Sequence, residues 1–561
     1  MDTWANTHAK PEAAAAVEKE FTRMIHEKVW LDPVELESIP ENALLCKCKL
    51  LLSIKHFEDG EAAWVWKARF VAAGHLYYDK WMRVRRSNAM QGGDYWAPVV
   101  SLQGSRFIDG RAVCHRRRAE SIDLISAYLQ VRLKSEVPVY PIFDDRIQEL
   151  LDPEEREKFR GKQSPVCRLW KALYGTPEAG QDFVCEFIAW LVLLGFTSMN
   201  EDPGVHFMWH TLTDAQMARR GINIRKMIDR EKDKDSVLNL AQARAGSWAE
   251  VHEAFKTFDE EREDARDGVL DSKHCTTAAT YVDDVKMECD KSHSATLWRC
   301  IRLLFDSDGE KEAQEFLGVK AFGPINHGDK YIMEFSNTAY VQSMVAEYEQ
   351  LHGKKARPCY TVGQSGSPPD FEKLPRNNCG TEVRSSLGSS GYAVRAIRLD
   401  CAIGNNRLAR YTDRWTEPWS STELQHLMGY YMATSEYTLK MTNAGDLWED
   451  VYVEVFCDAS FDNKPRSWGG HLVSLRGDLG TFCPQSWEAK LHTFTATSST
   501  DSESVQWGRA AKAAVILAAM VERTRVTRAR TVGRVDNGSL RLAAQPGSSR
   551  KLAACGGPRG G

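Results

Sequence analysis

Two adjacent aspartates stand between apolar residues in the run Thr280-Tyr281-Val282-Asp283-Asp284-Val285. Alternation across 278–289 reads as a tight β-hairpin whose tip carries both acids. Neighbouring like charges repel by roughly 1 kcal/mol in water and several times that near a protein interior. Such a tip is awkward without a cation, and magnesium, which binds a few carboxylates together with substrate phosphates, is its natural partner. A solvent-facing Asp-Asp turn is the plain alternative. Asp123, in the alternating run SIDLISAYLQV, offers a third carboxylate from a neighbouring strand. Three carboxylates on two strands suit two metal ions about 4 Å apart, one activating an attacking hydroxyl and the other steadying a leaving group. Five residues on, Tyr128 is either an aromatic core residue or a ring beneath a bound sugar.

A chain of 561 residues is too long for one core, so two or three domains are expected. Its net charge of -4 offers no general attraction to nucleic acid, and binding to a phosphate backbone would need local patches. The fourteen cysteines are irregularly spaced, and Cys46 and Cys48 have one residue between them rather than the two of a zinc site. They are expected to be reduced thiols of an intracellular protein. The N-terminus lacks the basic-then-apolar layout of a secretory signal, and the longest apolar stretch, Phe187 to Phe196, is about half a membrane span. A soluble protein with no membrane partner is expected, that stretch being a buried helix.

Along the chain, Val17, Phe21, Met24 and Ile25 have helical spacing, and the strand-like runs 44–57 and 64–74 flank the turn dipeptide Asp59-Gly60. Residues 210–275 are dense in charge and read as a solvated insertion. Residues 356–392 are rich in Pro, Gly and Ser, the composition of an irregular connector. In a last globular block, VYVEVFCDAS delivers Asp458 at the end of a strand. Glu503 precedes apolar positions 510, 513, 514, 517, 518 and 521 with helical spacing, and Asp536 ends the run GRVDN. Thr500 and Glu503 also fit a capping box, which is the structural reading of that glutamate. Arg523, Arg525, Arg528, Arg530 and Arg534 form a basic run that either contacts a nucleic-acid backbone or is a solvated face.

Six blocks in order, WKARFVAAGH (66–75), DYWAPVV (94–100), IDLISAYLQ (122–130), VCRLWKALYG (166–175), TYVDDV (280–285) and EFLGVK (315–320), resemble the signature blocks of copia-type retrotransposon reverse transcriptases. QHLMGYYMATSEYT (425–438) is also similar to that family, and strand–Asp, helix–Glu, strand–Asp resembles the ribonuclease H domain that follows the polymerase there. The resemblance implies an α+β fold: a right-hand polymerase with fingers, palm and thumb, then a ribonuclease H-like mixed α/β domain. It places the polymerase in 1–350, a connection in 351–450, the nuclease in 451–545 and a disordered tail in 546–561. It implies RNA-directed DNA synthesis from deoxynucleotide triphosphates, with Asp123, Asp283 and Asp284 binding metal. Lys67 and Arg69, if not merely exposed strand cations, would neutralise the triphosphate, and Tyr128 would lie under the sugar. Asp458, Glu503 and Asp536 would bind metal for cleaving the RNA strand of an RNA–DNA hybrid. Each centre would take two Mg2+, with Mn2+ as a substitute. The implied setting is intracellular, in the cytoplasm within a virus-like particle, or in the nucleus.

Four features depart from the family pattern. Glu178 stands where relatives carry glutamine, and a carboxylate near a triphosphate repels it. The stretch FIDGRAVCHRRRAE (107–120) replaces an apolar helix, and 210–275 separates elements that are usually close. SRKLAA (549–554) puts alanine where the fourth nuclease acid is expected, so an impaired ribonuclease H is expected. With no protease, integrase or zinc-knuckle signature ahead of the polymerase blocks, the chain is expected to be a polyprotein fragment. The alternative is a catalytically decayed remnant that at most binds nucleic acid.

Overall fold

A computed structural model describes residues 10–55, 64–86, 97–135, 137–210, 218, 274–363, 369–461 and 466–536. The Asp59-Gly60 turn, nearly all of the charged segment expected as an insertion, and everything after Asp536, including SRKLAA and the tail, lie outside them.

Helix α1 (Pro11–His26) buries Ala13, Val17, Phe21 and Met24, the stripe that the apolar spacing predicts. It lies against the long antiparallel pair β1 (Leu44–Lys55) and β2 (Val65–Tyr78), where Phe21 and Phe70 rings meet at 5.3 Å. Strand β3 (Val84–Arg86) closes one edge of this first sheet, and Val139–Ile142, Pro165–Val166 and Val34–Glu35 extend the other.

The second sheet holds the acidic hairpin. Helix α2 (Leu102–Cys114) leads into β4 (Glu120–Asp123), and α3 (Ala179–Leu194) leads through a short strand to β5 (Val205–Trp209). The hairpin strands are β6 (Cys275–Tyr281) and β7 (Asp284–Glu288), followed by helix α4 (Lys291–Arg302), giving the order β4-β7-β6-β5 with Lys311–Glu312 and Thr197–Ser198 at the edges. Twelve of the sixteen α3 residues are buried, so this apolar helix lies largely inside, as expected of 187–196. It ends where Gly195 takes φ +113, the left-handed cap that glycine adopts without a side-chain clash. Among the described residues, no helix is long and apolar enough to cross a membrane.

Residues 107–120, expected to have lost a buried helix, instead contain one. Nine of the thirteen α2 residues are buried despite the polar sequence. The reason is pairing. Arg111 is wholly buried against Glu288 of β7, and Arg117 also bonds Glu288 at 2.9 Å. Lys286 places its Nζ 2.9 Å from Asp109 and 2.7 Å from Ser105 Oγ. The charges that read as decay are the contacts that let the helix be buried.

The third sheet runs β8 (Val319–His327), β9 (Lys330–Ser336), β10 (Leu439–Asn443), β13 (Phe482–Leu491), β12 (Trp468–Arg476), β11 (Tyr452–Ala459) and β14 (Thr531–Arg534), with Glu315–Phe316 at its edge. Only β11 and β14 pair in parallel within it. Helix α9 (Ser499–Arg523) covers β11 and buries Ala510, Ala514, Leu517 and Val521, while Ala513 and Ala518 pack at the margin. Between β9 and β10 the chain builds a helical unit: α5 (Thr338–His352), α6 (Thr381–Ala396), α7 (Ala402–Ala409) and α8 (Trp419–Ala433). The irregular connector expected over 356–392 is therefore helical from Thr381 onward. Its serines misled the composition: Ser386 and Ser390 are buried beside Val383, Leu387 and Ala393, small residues that let helices approach. The thirteen described cysteines are all free.

Replacing Arg111 by alanine removes one of the two guanidinium partners of buried Glu288 and leaves Arg117 as the other, so stability should fall by about 3 kcal/mol. Urea denaturation monitored by circular dichroism measures this, and a loss below about 1 kcal/mol would mean that the pair contributes little.

Candidate active site

The β6–β7 hairpin turns through Val282 and Asp283, with Tyr281 paired to Asp284. Val282 sits at φ +54, a left-handed conformation strained for a β-branched residue, and so the tip is held rather than relaxed. On the other side of β7, Asp284 is the direct partner of Asp123, and Leu124 donates its N–H to the Asp283 carbonyl at 2.8 Å. Asp123 and Asp284, far apart in the chain, are thus set side by side by one antiparallel register. Asp308, not singled out from the sequence, clamps this strand: its carboxylate accepts from the Asp123 N–H at 2.7 Å and from Lys311 at 2.7 Å.

A cleft of about 830 Å³ opens beside these acids. Asp123 and Asp283 line it together with Lys67 and Arg69 of β2. Tyr128 packs against the core. Its ring packs on Tyr174 at 5.3 Å and on Phe183 at 6.1 Å, half-buried among core side chains, and Tyr174 is the tyrosine that lines the cleft. Burial pushes the Tyr128 hydroxyl above its ordinary range, with the charge of Asp283 adding to it. Glu20 and Arg23 of α1 also reach the cleft, and apolar periodicity could not have shown them because they lie off the helix's buried stripe. Glu178 is buried at the start of α3, one turn before Asp182, whose carboxyl is raised to about 6 by burial and by the neighbouring acids Glu178 and Glu186.

The second acidic centre is tighter. Asp458 near the end of β11, Glu503 on α9 and Asp536 just beyond β14 bring carboxylate oxygens within 4.8 Å of one another. Among the described residues, this is the set of three or more such groups that converges to that degree; Asp123, Asp283 and Asp284 do not. The capping-box reading of Glu503 fails. Ser498 is the N-cap, its hydroxyl accepting from the Asp501 N–H at 3.1 Å, which releases Glu503 to face the sheet. There Oε1 accepts from the Ala459 N–H at 3.2 Å, while Oε2 is buried without a hydrogen-bond partner. Burial, with Asp458 and Asp536 nearby, raises this carboxyl from its ordinary 4.5 to about 7. A buried orphan oxygen between two further carboxylates suits a divalent cation.

The basic run expected to meet a backbone is largely committed within the chain. Arg525 is buried and donates to the Val451 carbonyl at 2.7 Å. Arg530 pairs with Asp478, Arg534 with Glu454 and Arg523 with Glu201.

Between pH 4.5 and about 7 the metal-free fold keeps a proton on Glu503 that the unfolded chain has released. That stabilisation is complete below the lower value and lost as pH rises through the upper. The urea midpoint should therefore fall from pH 5 to pH 8, less steeply in Glu503→Gln. Magnesium should restore it at pH 8 in the parent alone. An identical pH slope in Glu503→Gln would refute the assignment.

No protein-family profile matches the chain. Over 483 residues, 84% of this chain, it is 21% identical to the retrovirus-related Pol polyprotein from transposon TNT 1-94 of Nicotiana tabacum. Over 473 residues, 83% of the chain, it is 22% identical to the retrovirus-related Pol polyprotein from transposon RE2 of Arabidopsis thaliana. The chain spans only 29% and 25% of the lengths of these relatives. The copia-type resemblance carried by the ordered sequence blocks therefore stands, and most of this chain is similar to part of the Pol polyproteins of plant transposons.

Proposed function

We propose that the chain is the RNA-directed DNA polymerase segment of such a Pol protein, with an attached ribonuclease H of reduced activity. The observation that carries the polymerase reading is the register placing Asp284 opposite Asp123 beside a cleft lined by Asp123, Asp283, Lys67 and Arg69. In this reading the first sheet serves as fingers and the second as palm. The substrates are an RNA template with its primer and deoxynucleotide triphosphates.

Lys67 and Arg69 neutralise the triphosphate as it enters, and Tyr174 bounds the cleft beside them. Asp123, Asp283 and Asp284 would hold magnesium, which when bound lowers the pKa of the primer 3′-hydroxyl and shields charge on the leaving group. The primer oxygen then bonds to the α-phosphorus, the bond to the bridging α–β oxygen breaks, and pyrophosphate leaves while the hydroxyl proton passes to solvent. The strained turn at Val282 keeps the acids at the tip in place through this exchange. At the second centre, Asp458, Glu503 and Asp536 would hold magnesium for hydrolysis of the RNA strand in a hybrid.

A catalytically decayed remnant is the second reading. It is favoured by the looser polymerase trio and by the buried Glu178 in place of a glutamine.

Primer extension on an RNA template with magnesium tests the first reading. The parent should extend, and the Asp283→Asn, Asp284→Asn double variant should be slower by on the order of 100-fold or more. No extension by a folded parent that still binds hybrid would establish the remnant instead. Cleavage of a hybrid's RNA strand should likewise need magnesium and disappear in Asp458→Asn; cleavage that persists there would remove the second centre from the mechanism.

A further inference from the structure

Glu20 of α1 lines the cleft beside Asp123 and Asp283, yet the proposed chemistry gives it no part. Its neighbours on the helix, Glu18 and Lys19, are exposed, whereas Glu20 is partly buried. A carboxylate is costly to draw out of water unless hydrogen bonds and opposite charges replace the solvent. Both are present. Oε1 accepts from the Phe70 N–H at 3.2 Å, which fastens the side chain to the backbone next to Arg69. Burial pushes the carboxyl above its ordinary range, while the Phe70 N–H, Arg69, Lys67 and Arg23 favour its charged form.

The surroundings hold this arrangement in place. Two residues along β2 from the Glu20 contact, Ala72 donates its N–H to the Tyr174 carbonyl at 2.7 Å. The Arg69 guanidinium lies 5.6 Å from the Tyr174 ring centre. The Tyr174 hydroxyl is pushed up to about 12, first by burial and then by the charge of Glu20. Three residues after Glu20, Arg23 reaches Asp306 at 3.1 Å, and the Asp306 carbonyl accepts from the Ile125 N–H at 2.9 Å. Helix α1 is thereby tied to the chain just beyond Asp123, and swinging Glu20 out of the cleft would break its bond to Phe70.

We propose that Glu20 is a tethered counter-ion to Arg69 and Lys67, whose carboxylate opposes the polyphosphate that these cations bind and so sets its affinity. That the polyphosphate is the tail of a deoxynucleotide triphosphate rests on the polymerase reading. Because Phe70 holds the carboxylate, its charge stays beside the cations as a polyanion approaches them. Repulsion grows with the number of charges on the ligand, whereas the order that Glu20 lends to two side chains does not. The net effect of Glu20 is therefore to weaken polyphosphate binding.

Calorimetric titration of the full chain with sodium tripolyphosphate tests this without primer or template. Glu20→Gln keeps an oxygen to accept from Phe70 and loses only the charge, so its melting curve should match the parent's. It should bind tripolyphosphate about ten-fold more tightly, while Glu20→Asp, which keeps the charge, should stay closer to the parent. In primer extension, Glu20→Gln should lower the KM for the deoxynucleotide by a similar factor with no rise in kcat. Unchanged or weaker tripolyphosphate binding by Glu20→Gln overturns the proposal, and weaker binding would make Glu20 a support for the cations instead. Equal tightening by Glu20→Asp also overturns it, since shape and not charge would then be at work. If a folded parent fails to extend primers while Glu20→Gln binds tripolyphosphate more tightly, the counter-ion stands and the polymerase reading falls. If extension proceeds with the same KM in both, the reading stands and the counter-ion falls.

Discussion

The second and third sheets are held together through helix α2, and α2 can lie between them only because its charges are paired. Arg111 reaches Glu288 on one side and packs 5.8 Å from the Trp448 ring on the other. Arg106 donates to the Gln485 carbonyl at 2.8 Å and lies 4.3 Å from the Trp487 ring, fastening the helix to β13. Gly110 completes the fit, since a Cβ there would come within 2.5 Å of Gln485 Nε2. Buried ion pairs of this kind add little stability against an apolar alternative, but losing either partner is severe. They act here as a register: helix and both sheets can meet in one alignment. The hairpin acids lie at the ends of β6 and β7, two strands against which α2 packs directly.

The two centres answer the problem of gathered acids differently. At the hairpin, the carboxylates are spread over two strands and a turn, and Lys311, whose ammonium is raised by Asp308, Asp123 and Asp284, supplies positive charge nearby. At the other centre, three carboxylates converge on a partly buried point, and a proton on Glu503 relieves the repulsion instead. The first arrangement leaves room for a large polyanion, while the second is compact and already shaped for a small cation. The difference follows from the supporting elements: the first acids sit at a hairpin tip and a strand end, whereas α9 and the parallel strands β11 and β14 bring the second set together.

Much of this was legible in the chain. Val17, Phe21 and Met24 gave the first helix, and β1 and β2 pair as their alternation suggests. The strand–acid, helix–acid, strand–acid order led to the convergence of Asp458, Glu503 and Asp536. What escaped the reading were elements whose burial depends on partners distant in sequence. FIDGRAVCHRRRAE looks unfit for an interior until Glu288 and Asp109 are set beside it. Helix α6 looks like a linker because serine and glycine pack well only against a neighbouring helix. The two readings of Tyr128 stayed open for a related reason, since spacing cannot tell which of two adjacent aromatic rings, Tyr128 or Tyr174, turns toward a cleft.

The boundary near residue 451 belongs to the sequence and not to the packing. Strand β10 ends at Asn443, yet Thr442 pairs with Phe482 of β13, so one sheet runs unbroken from the segment after the hairpin into the nuclease-like block. One hydrophobic cluster contains Phe107 and Ile108 of α2, Phe335 of β9 and Leu517 of α9. A cut between β10 and β11 would expose that cluster and leave unpaired strand edges on both pieces. The C-terminal block is therefore a structural support of the palm-like sheet whether or not it cuts RNA. A nuclease can lose a ligand at small structural cost, because metal ligands contribute to binding the ion rather than to the core, whereas losing Leu517 or Trp448 would unseat α2 and the acids beyond it.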